Sequence, residues 1–179
     1  MDFKQTELSN DDLINLKNIL NYLQRRPKCL RTLFENTRVK NNYHATKIGA
    51  LNQRAARGST AGFVVWRGEK KTSKLLLEHP DLEPLLRTFL ENHRSDFVYN
   101  NVFITKNCQS QPHKDSGNSE SSIIVTLGDF ERGGLFVEDN SGTTHLFSLK
   151  TYSLEFDGKK FKHWTEPFSG TRYSMIFYS

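Results

Sequence analysis

FVYNNVFIT (97–105) and SSIIVTL (121–127) are the first of six short segments that decide the fold class. All six are rich in β-branched and aromatic residues, and the other four are GGLFVED (133–139), THLFSLK (144–150), TYSLEF (151–156) and TRYSMIFYS (171–179). Turn-forming sequences separate them, namely NCQSQP (107–112), GDFERGG (128–134), DNSG (139–142), DG (157–158) and FSG (168–170). This pattern predicts an antiparallel sandwich or barrel, so residues 97–179 are expected to form a β-sandwich or jelly-roll core.

The first half of the chain has helical patterns instead. Apolar residues between Leu13 and Leu23 follow Asn10 at the spacing of an amphipathic helix, which should end before Pro27. A second helix is predicted at 81–93, with Asp81 as its N-cap and a buried stripe of Leu82, Leu85, Leu86 and Phe89. FVVW (63–66) predicts a strand, and residues 36–62 predict long loops.

These elements together predict one α+β domain over residues 1–179. Its helical and basic part, 1–96, is expected to pack outside the β core of 97–179. A chain of 179 residues suits a single domain, and no apolar run approaches the 18 residues of a membrane span. Cys29 and Cys108 lie outside any CxxC pair, and the N-terminus lacks the pattern of a secretory signal. We therefore expect a soluble, intracellular protein in a reducing compartment, the nucleus or the cytoplasm.

Positive charge is concentrated in one part of the chain. The net charge is +5, but residues 25–74 contain 13 Lys and Arg against two Glu, whereas residues 91–179 contain 9 against 11 Asp and Glu. Such a basic stretch can bind phosphates electrostatically, whatever the base sequence. Nucleic acid is therefore the expected partner, although a solvated basic surface would have the same composition.

Three residues have the types and order of a metal site. His113 and Asp115 follow a predicted strand, and His163 comes 50 residues later beside another strand. Two imidazoles and one carboxylate are the facial ligand set of non-haem Fe(II) oxygenases, which leaves three positions open for a 2-oxo acid and dioxygen. A second HxD motif, His79 and Asp81, has no such context and predicts a structural role at a helix start.

Arg172 and Ser174 extend this site along the terminal strand. A guanidinium nine residues after His163 can bind the far carboxylate of 2-oxoglutarate in bidentate fashion, and Ser174, on the same strand face, can add a hydroxyl. A hydrolytic zinc site would use the same ligands but would not explain Arg172 and Ser174. His145 is an alternative third ligand without such an Arg-x-Ser motif after it, and His44 and His93 are expected at the surface.

The surrounding sequence resembles the 2-oxoglutarate/Fe(II) dioxygenases, and within them the TET/JBP branch of nucleobase oxygenases. The resemblance is carried by NVFITKNCQSQPHKDSGNSESSIIVTLGDFERGGLFVED (101–139) and FDGKKFKHWTEPFSGTRYSMIFYS (156–179). It implies an enzyme with a double-stranded β-helix core, Fe(II) on His113, Asp115 and His163, and 2-oxoglutarate on Arg172 and Ser174. The chemistry it implies is oxidation of the methyl group of 5-methylcytosine or thymine in nucleic acid, DNA rather than RNA, with dioxygen.

A base inside a duplex must be flipped out to reach such a metal, so further substrate contacts are expected. Tyr178 could stack on the base or fill the barrel, and Asn118 could bind the base edge or stabilise a turn. Arg54 and Arg57 are expected to contact phosphates. Alternative functions are a peptide or small-molecule hydroxylase with the same cofactors, an AlkB-like N-demethylase, and a non-enzymatic binding module. The sequence indicates no oligomeric state.

Overall fold

A six-stranded antiparallel sheet is the largest element of the computed structural model, which describes residues 2–25, 58–61, 63–66, 69–116 and 120–179. In spatial order its strands are β1 (Phe3–Glu7), β10 (Tyr152–Phe156), β6 (Ser122–Leu127), β13 (Tyr173–Tyr178), β5 (Asn101–Lys106) and β2 (Gly58–Ala61). Neighbours in this order are far apart in sequence, as expected when a chain winds into a double-sheet sandwich.

Smaller sheets complete the β structure of the described residues. Three strands form the second sheet in the order β11 (Lys162–Thr165), β8 (Leu135–Glu138) and β9 (Thr144–Phe147). Two antiparallel pairs join β12 (Phe168–Gly170) with β7 (Phe130–Arg132), and β3 (Phe63–Trp66) with β4 (Glu69–Thr72). The strand predicted at 63–66 is thus confirmed.

The centre of the large sheet is buried on both faces, which explains why β6 is buried at every position. Side chains alternate along a strand. Ile123 and Val125 join the core cluster shared with the helices, whereas Ile124 joins a second cluster with Leu135 and Val137 of the small sheet. The two sheets therefore pack face to face. Successive side chains of β13 likewise belong in turn to one cluster and to the other.

The helices are α1 (Asn10–Arg25), α2 (Lys74–Glu78) and α3 (Leu82–His93). α1 begins with a capping box, because the Asp12 amide donates to Ser9 Oγ at 3.0 Å and the Ser9 amide to Asp12 Oδ2 at 2.9 Å. Leu16, Ile19 and Leu23 of α1 share a buried cluster with the strand residues. None of the helices in the described ranges has the length and apolar character needed to cross a membrane.

Several expectations need correction. The helical and basic part, 1–96, also contributes β1 and β2, which lie at the two edges of the large sheet, and β2 falls at the end of the segment predicted as long loops, 36–62. GDFERGG and FSG were predicted as turns, but they contain β7 and β12, which pair with each other. These strands have three residues each, too few for a hydrophobic period to show, and pairing decides their conformation.

Two side-chain expectations also fail. Asp81 is at the N-cap position of α3, as predicted, but its side chain makes no capping hydrogen bond, and the Leu82 amide donates to the His79 carbonyl. His93 was expected at the surface. Its side chain is only 1% exposed and hydrogen-bonds to Asp12 Oδ2 at 2.8 Å and to Ser153 Oγ at 2.7 Å. His93 therefore joins α1, α3 and β10 through buried polar contacts.

Candidate metal and 2-oxo-acid site

His113, Asp115 and His163 meet because the segment after β5 runs alongside β11. His113 and His163 form an isolated antiparallel bridge, with N–O distances of 3.1 and 3.0 Å in the two directions. The Asp115 amide donates to the Gly158 carbonyl at 2.9 Å, which fixes the backbone of the third residue. The two parts of the predicted ligand set, 50 residues apart in sequence, are thus held by main-chain hydrogen bonds.

The three side chains converge on one point. Asp115 Oδ1 lies 3.4 Å from His113 Nε2 and 3.5 Å from His163 Nε2. The ligand atoms of the three residues all lie within 4.8 Å of one another, the spacing of groups that can hold a metal ion. His113, Asp115 and His163 are called the triad below.

Both imidazoles are held in the tautomer that a metal requires. His113 Nδ1 lies 2.6 Å from the Gln111 carbonyl, and His163 Nδ1 lies 2.9 Å from the Phe161 carbonyl. A carbonyl only accepts, so each Nδ1 carries the hydrogen and each Nε2 keeps its lone pair for a metal. The ring of Phe156 packs edge-on against His163 at a centroid distance of 4.9 Å and restrains its orientation.

The electrostatics of the triad favour a cation. Burial acts to raise the pKa of Asp115, but hydrogen bonds with His113 and His163 outweigh it and hold this pKa well below its usual range. Burial acts to lower the pKa of His113, but the hydrogen bond with Asp115 and that with the Gln111 carbonyl raise it above its usual 6.5. Asp115 is therefore ionised at neutral pH and can bind a divalent metal.

Gly158 is a part of the site that sequence reasoning missed, since the DG dipeptide predicted only a turn. A Cβ on Gly158 would overlap Asp115 Oδ2 and would lie 3.2 Å from His163 Cε1. Only glycine leaves room for the carboxylate beside the backbone.

Replacing Gly158 with alanine is expected to weaken divalent-metal binding by about 10- to 100-fold, because the added methyl group displaces the Asp115 carboxylate. Calorimetric titration with Mn²⁺ measures this effect. Lys159→Ala is the matched control, because Lys159 is the next residue and its side chain is exposed. Equal Mn²⁺ affinity in Gly158→Ala and the wild type would show that the carboxylate has room to move.

Arg172 is the second charged component, and it has no acidic partner among the described residues. Its side chain is 2% exposed and lies against the rings of Phe130 and Phe168. Nε donates to the Gly133 carbonyl at 2.9 Å, whereas Nη2 is buried without a hydrogen-bond partner. Burial lowers the pKa of Arg172 to about 10, and negative charge at Cys108 acts to raise it. A buried guanidinium in this state needs an anion.

One cavity of about 120 Å³ joins the triad to Arg172. Its polar lining includes Ser174, whose Oγ lies 2.5 Å from Thr105 Oγ1, and its apolar lining includes Phe103, Leu135 and Ile176. Arg172, Ser174 and Ile176 all line this cavity. They are two residues apart, so their side chains lie on the same face of the last segment, as expected from strand alternation. The structure thus brings together the five residues predicted for metal and 2-oxoglutarate.

The predicted substrate contacts are not gathered there. Tyr178 is half-buried and is not among the described residues that line the cavity. Asn118, Arg54 and Arg57 lie outside the described residues. His145 is not part of the triad, because its Nε2 lies 2.7 Å from Asp139 Oδ2.

The residues present fit the implied cofactors. The triad offers two imidazole nitrogens and a carboxylate oxygen, which is the donor set preferred by non-haem Fe(II). The buried, unpartnered Nη2 of Arg172 fits a carboxylate of a dicarboxylic 2-oxo acid, because a guanidinium binds such a group through two parallel hydrogen bonds.

Solved structures with the same fold have low sequence identity to this chain. NgTET1 in complex with 5mC DNA matches with a TM-score of 0.57 and 12% identity over 99% of this chain and 71% of that chain. A Pseudomonas putida prolyl-4-hydroxylase matches with a TM-score of 0.56 and 12% identity over 99% and 92%. A full-length Neurospora crassa protein in complex with alpha-KG matches with a TM-score of 0.55 and 12% identity over 99% and 75%.

No protein-family model matches the chain, and comparison with curated proteins gives no significant match. The resemblance inferred from the sequence is nevertheless confirmed at the level of the fold. This chain has the double-sheet fold of the Fe(II)/2-oxoglutarate oxygenases.

Proposed function

We propose that this protein is an Fe(II)/2-oxoglutarate-dependent oxygenase. The observation that carries the proposal is the presence of the triad and the unpartnered Arg172 guanidinium in one cavity. A hydrolytic zinc site needs three ligands and water, but it has no use for a buried cation that lacks a counterion. An oxygenase that uses a dicarboxylic 2-oxo acid needs both groups.

Each residue has a role that follows from its environment. His113, Asp115 and His163 hold Fe(II), and Arg172 binds the distal carboxylate of 2-oxoglutarate with help from the Ser174 hydroxyl. Phe156 and Leu135 keep the cavity apolar, which strengthens the electrostatic contacts inside it. When both cofactors are bound, they couple the oxidative decarboxylation of 2-oxoglutarate to succinate and CO₂ with the oxidation of a substrate C–H bond by dioxygen.

The substrate we propose is the methyl group of a 5-methylpyrimidine base, 5-methylcytosine or thymine, in DNA. The basic stretch of residues 25–74 and the fold shared with NgTET1, which is bound to 5mC DNA, support this choice. Two further lysines support it near the triad. Lys114 lies between two ligands, Lys159 follows Gly158, and both are exposed and without an ion-pair partner in the described ranges.

The fold is shared equally with a prolyl-4-hydroxylase, so the test includes other substrates. The Fe(II)-loaded protein is incubated with 2-oxoglutarate and oligonucleotides containing 5-methylcytosine, thymine or N-methylated bases, and with proline-containing peptides. Mass spectrometry of the digested nucleosides and peptides is combined with a succinate assay. Hydroxymethylated pyrimidine with matching succinate is expected. If oxidised peptide forms and hydroxymethylated pyrimidine does not, the protein is a peptide hydroxylase. If demethylated base forms instead, it is an N-demethylase.

The lysine pair gives a separate prediction for DNA binding. The double variant Lys114→Gln, Lys159→Gln should bind DNA more weakly and reduce the slope of log K against log salt by about 2. Binding releases about one counterion for each phosphate contact, and the variant makes two contacts fewer. Fluorescence anisotropy over a salt series measures this slope. Lys150→Gln is the control, because Lys150 lies in a different groove, beside α1 and Glu131. An unchanged slope would place both lysines outside the DNA contact.

A further inference from the structure

Cys108 lies in the same cavity as the triad and Arg172, and neither the fold nor the proposed chemistry requires a thiol there. It is half-buried and forms no disulfide within the described part of the chain. A cysteine alone is weak evidence for a site. What distinguishes Cys108 is the cation beside it.

The backbone fixes Cys108 next to Arg172. Asn107 adopts a left-handed conformation with φ 51°, a conformation that asparagine tolerates better than most residues. Its amide donates to the Arg172 carbonyl at 2.7 Å, and its Oδ1 accepts from the Arg172 amide at 2.8 Å. This reciprocal pair closes the end of β5 on β13 and turns the next residue, Cys108, toward the cavity.

The guanidinium of Arg172 is the kind of neighbour that favours the reactive form of a thiol. The guanidinium is buried, and its Nη2 has no hydrogen-bond partner. Among the described residues, Cys108 is the one whose negative charge acts to raise the pKa of Arg172. A neighbouring cation stabilises a thiolate over a thiol, and the thiolate is the form that reacts with peroxides and alkylating agents. A thiolate at Cys108 would therefore compete for Arg172 with the carboxylate of the 2-oxo acid, because both residues line one cavity.

We propose that Cys108 is an oxidation site that controls 2-oxo-acid binding, an inference that rests on the proposed function of Arg172. The thiol first loses its proton to solvent. Its sulphur then attacks one oxygen of hydrogen peroxide, the S–O bond forms, the O–O bond breaks, and the leaving hydroxide takes up a proton to give water. Sulphur is oxidised by two electrons and peroxide is reduced. The product is a sulfenic acid, which loses its proton to solvent. The sulfenate anion then occupies the guanidinium that 2-oxoglutarate needs, and thiol reductants reverse the change.

The test uses the full chain loaded with Mn²⁺, which peroxide does not oxidise under mild conditions as it does Fe(II). Wild type, Cys108→Ser and Cys29→Ser are treated with hydrogen peroxide, and sulfenate is trapped with dimedone and located by peptide mass spectrometry. Binding of 2-oxoglutarate is measured by calorimetry before and after treatment, with each variant's untreated affinity as its own reference.

Treatment should weaken 2-oxoglutarate binding at least about tenfold in wild type and in Cys29→Ser, and should not change it in Cys108→Ser. Dithiothreitol should restore the affinity, and bound 2-oxoglutarate should protect Cys108 from labelling. Unchanged affinity in wild type that is labelled at Cys108, or no labelling at Cys108, would overturn the proposal.

A second measurement separates this inference from the proposed function. The alkylation rate of Cys108 by iodoacetamide needs no cofactor, and Arg172→Gln should lower it by about tenfold because the thiolate loses its cation. If untreated wild type fails to bind 2-oxoglutarate, the proposed function fails, whatever the alkylation rate. If it binds 2-oxoglutarate and the alkylation rate is the same in both proteins, only the role of Cys108 is lost.

Discussion

Alanine at Asp115 or His163 is expected to reduce divalent-metal affinity by more than about 100-fold and to abolish turnover. Each substitution removes one of three ligands, and this effect should exceed the 10- to 100-fold loss typical of residues that only orient ligands. Asp115 also supplies the negative charge of the triad, since its carboxyl is ionised at neutral pH. Calorimetry with Mn²⁺ and metal analysis of the purified variants measure this loss.

His145→Ala is the matched control for the metal-ligand variants. It also removes a strand imidazole that pairs with a carboxylate, here Asp139, but this pair lies apart from the triad. The variant should bind metal as wild type does. Equal losses in His145→Ala and His163→Ala would mean that the metal is not held by the triad, and retention of Mn²⁺ by Asp115→Ala would contradict the ligand assignment.

Replacing Arg172 with glutamine is expected to weaken 2-oxoglutarate binding by about 100-fold or more and to leave metal affinity unchanged. A charge-assisted hydrogen bond is worth about 1.5–3 kcal/mol, and a bidentate guanidinium makes two. Arg172→Lys should not restore binding, because an ammonium cannot reproduce the planar pair of donors. Calorimetric titration of the Mn²⁺-loaded variants with 2-oxoglutarate gives the affinities.

The stability of an Arg172 variant shows whether its effect is local. Without cofactors, wild type buries a guanidinium whose Nη2 is unpartnered, which costs free energy of folding. Arg172→Met keeps most of the packing against Phe130 and Phe168. It removes the buried charge but also the hydrogen bond to the Gly133 carbonyl, and because these effects oppose each other its thermal midpoint should stay close to that of the wild type. A lower midpoint together with lost 2-oxoglutarate binding would point to general misfolding instead.

The sequence predicts where these residues meet because their positions follow local rules. Seven of the strands were expected from β-branched and aromatic runs. Arg172 lies one residue before the last of them, and alternation predicted that it shares a face with Ser174, as both line the cavity. The triad was recognisable because two ligands are separated by one residue and the third lies beside a strand. The helix predicted after Asn10 is present over Asn10–Arg25.

What the sequence did not predict depends on contacts between distant segments. β1 has too few buried residues for a clear period and is a strand because β10 offers an unpaired edge. Gly158 is required by the Asp115 carboxylate, which is 43 positions away. His93 looked like a surface residue because its partners, Asp12 and Ser153, are on other elements. None of these relations has a local signature.

The most direct test of the central claim is whether the chain binds 2-oxoglutarate in a metal-dependent way. Calorimetric titration of 2-oxoglutarate into the Mn²⁺-loaded protein should give one site per chain, and this binding should be lost on chelation of the metal, in Asp115→Ala and in Arg172→Gln. Such dependence on both charged groups is what a single shared cavity requires. Binding that is absent, or that survives removal of the metal or of the guanidinium, would contradict the assignment of this cavity as an Fe(II)/2-oxoglutarate site.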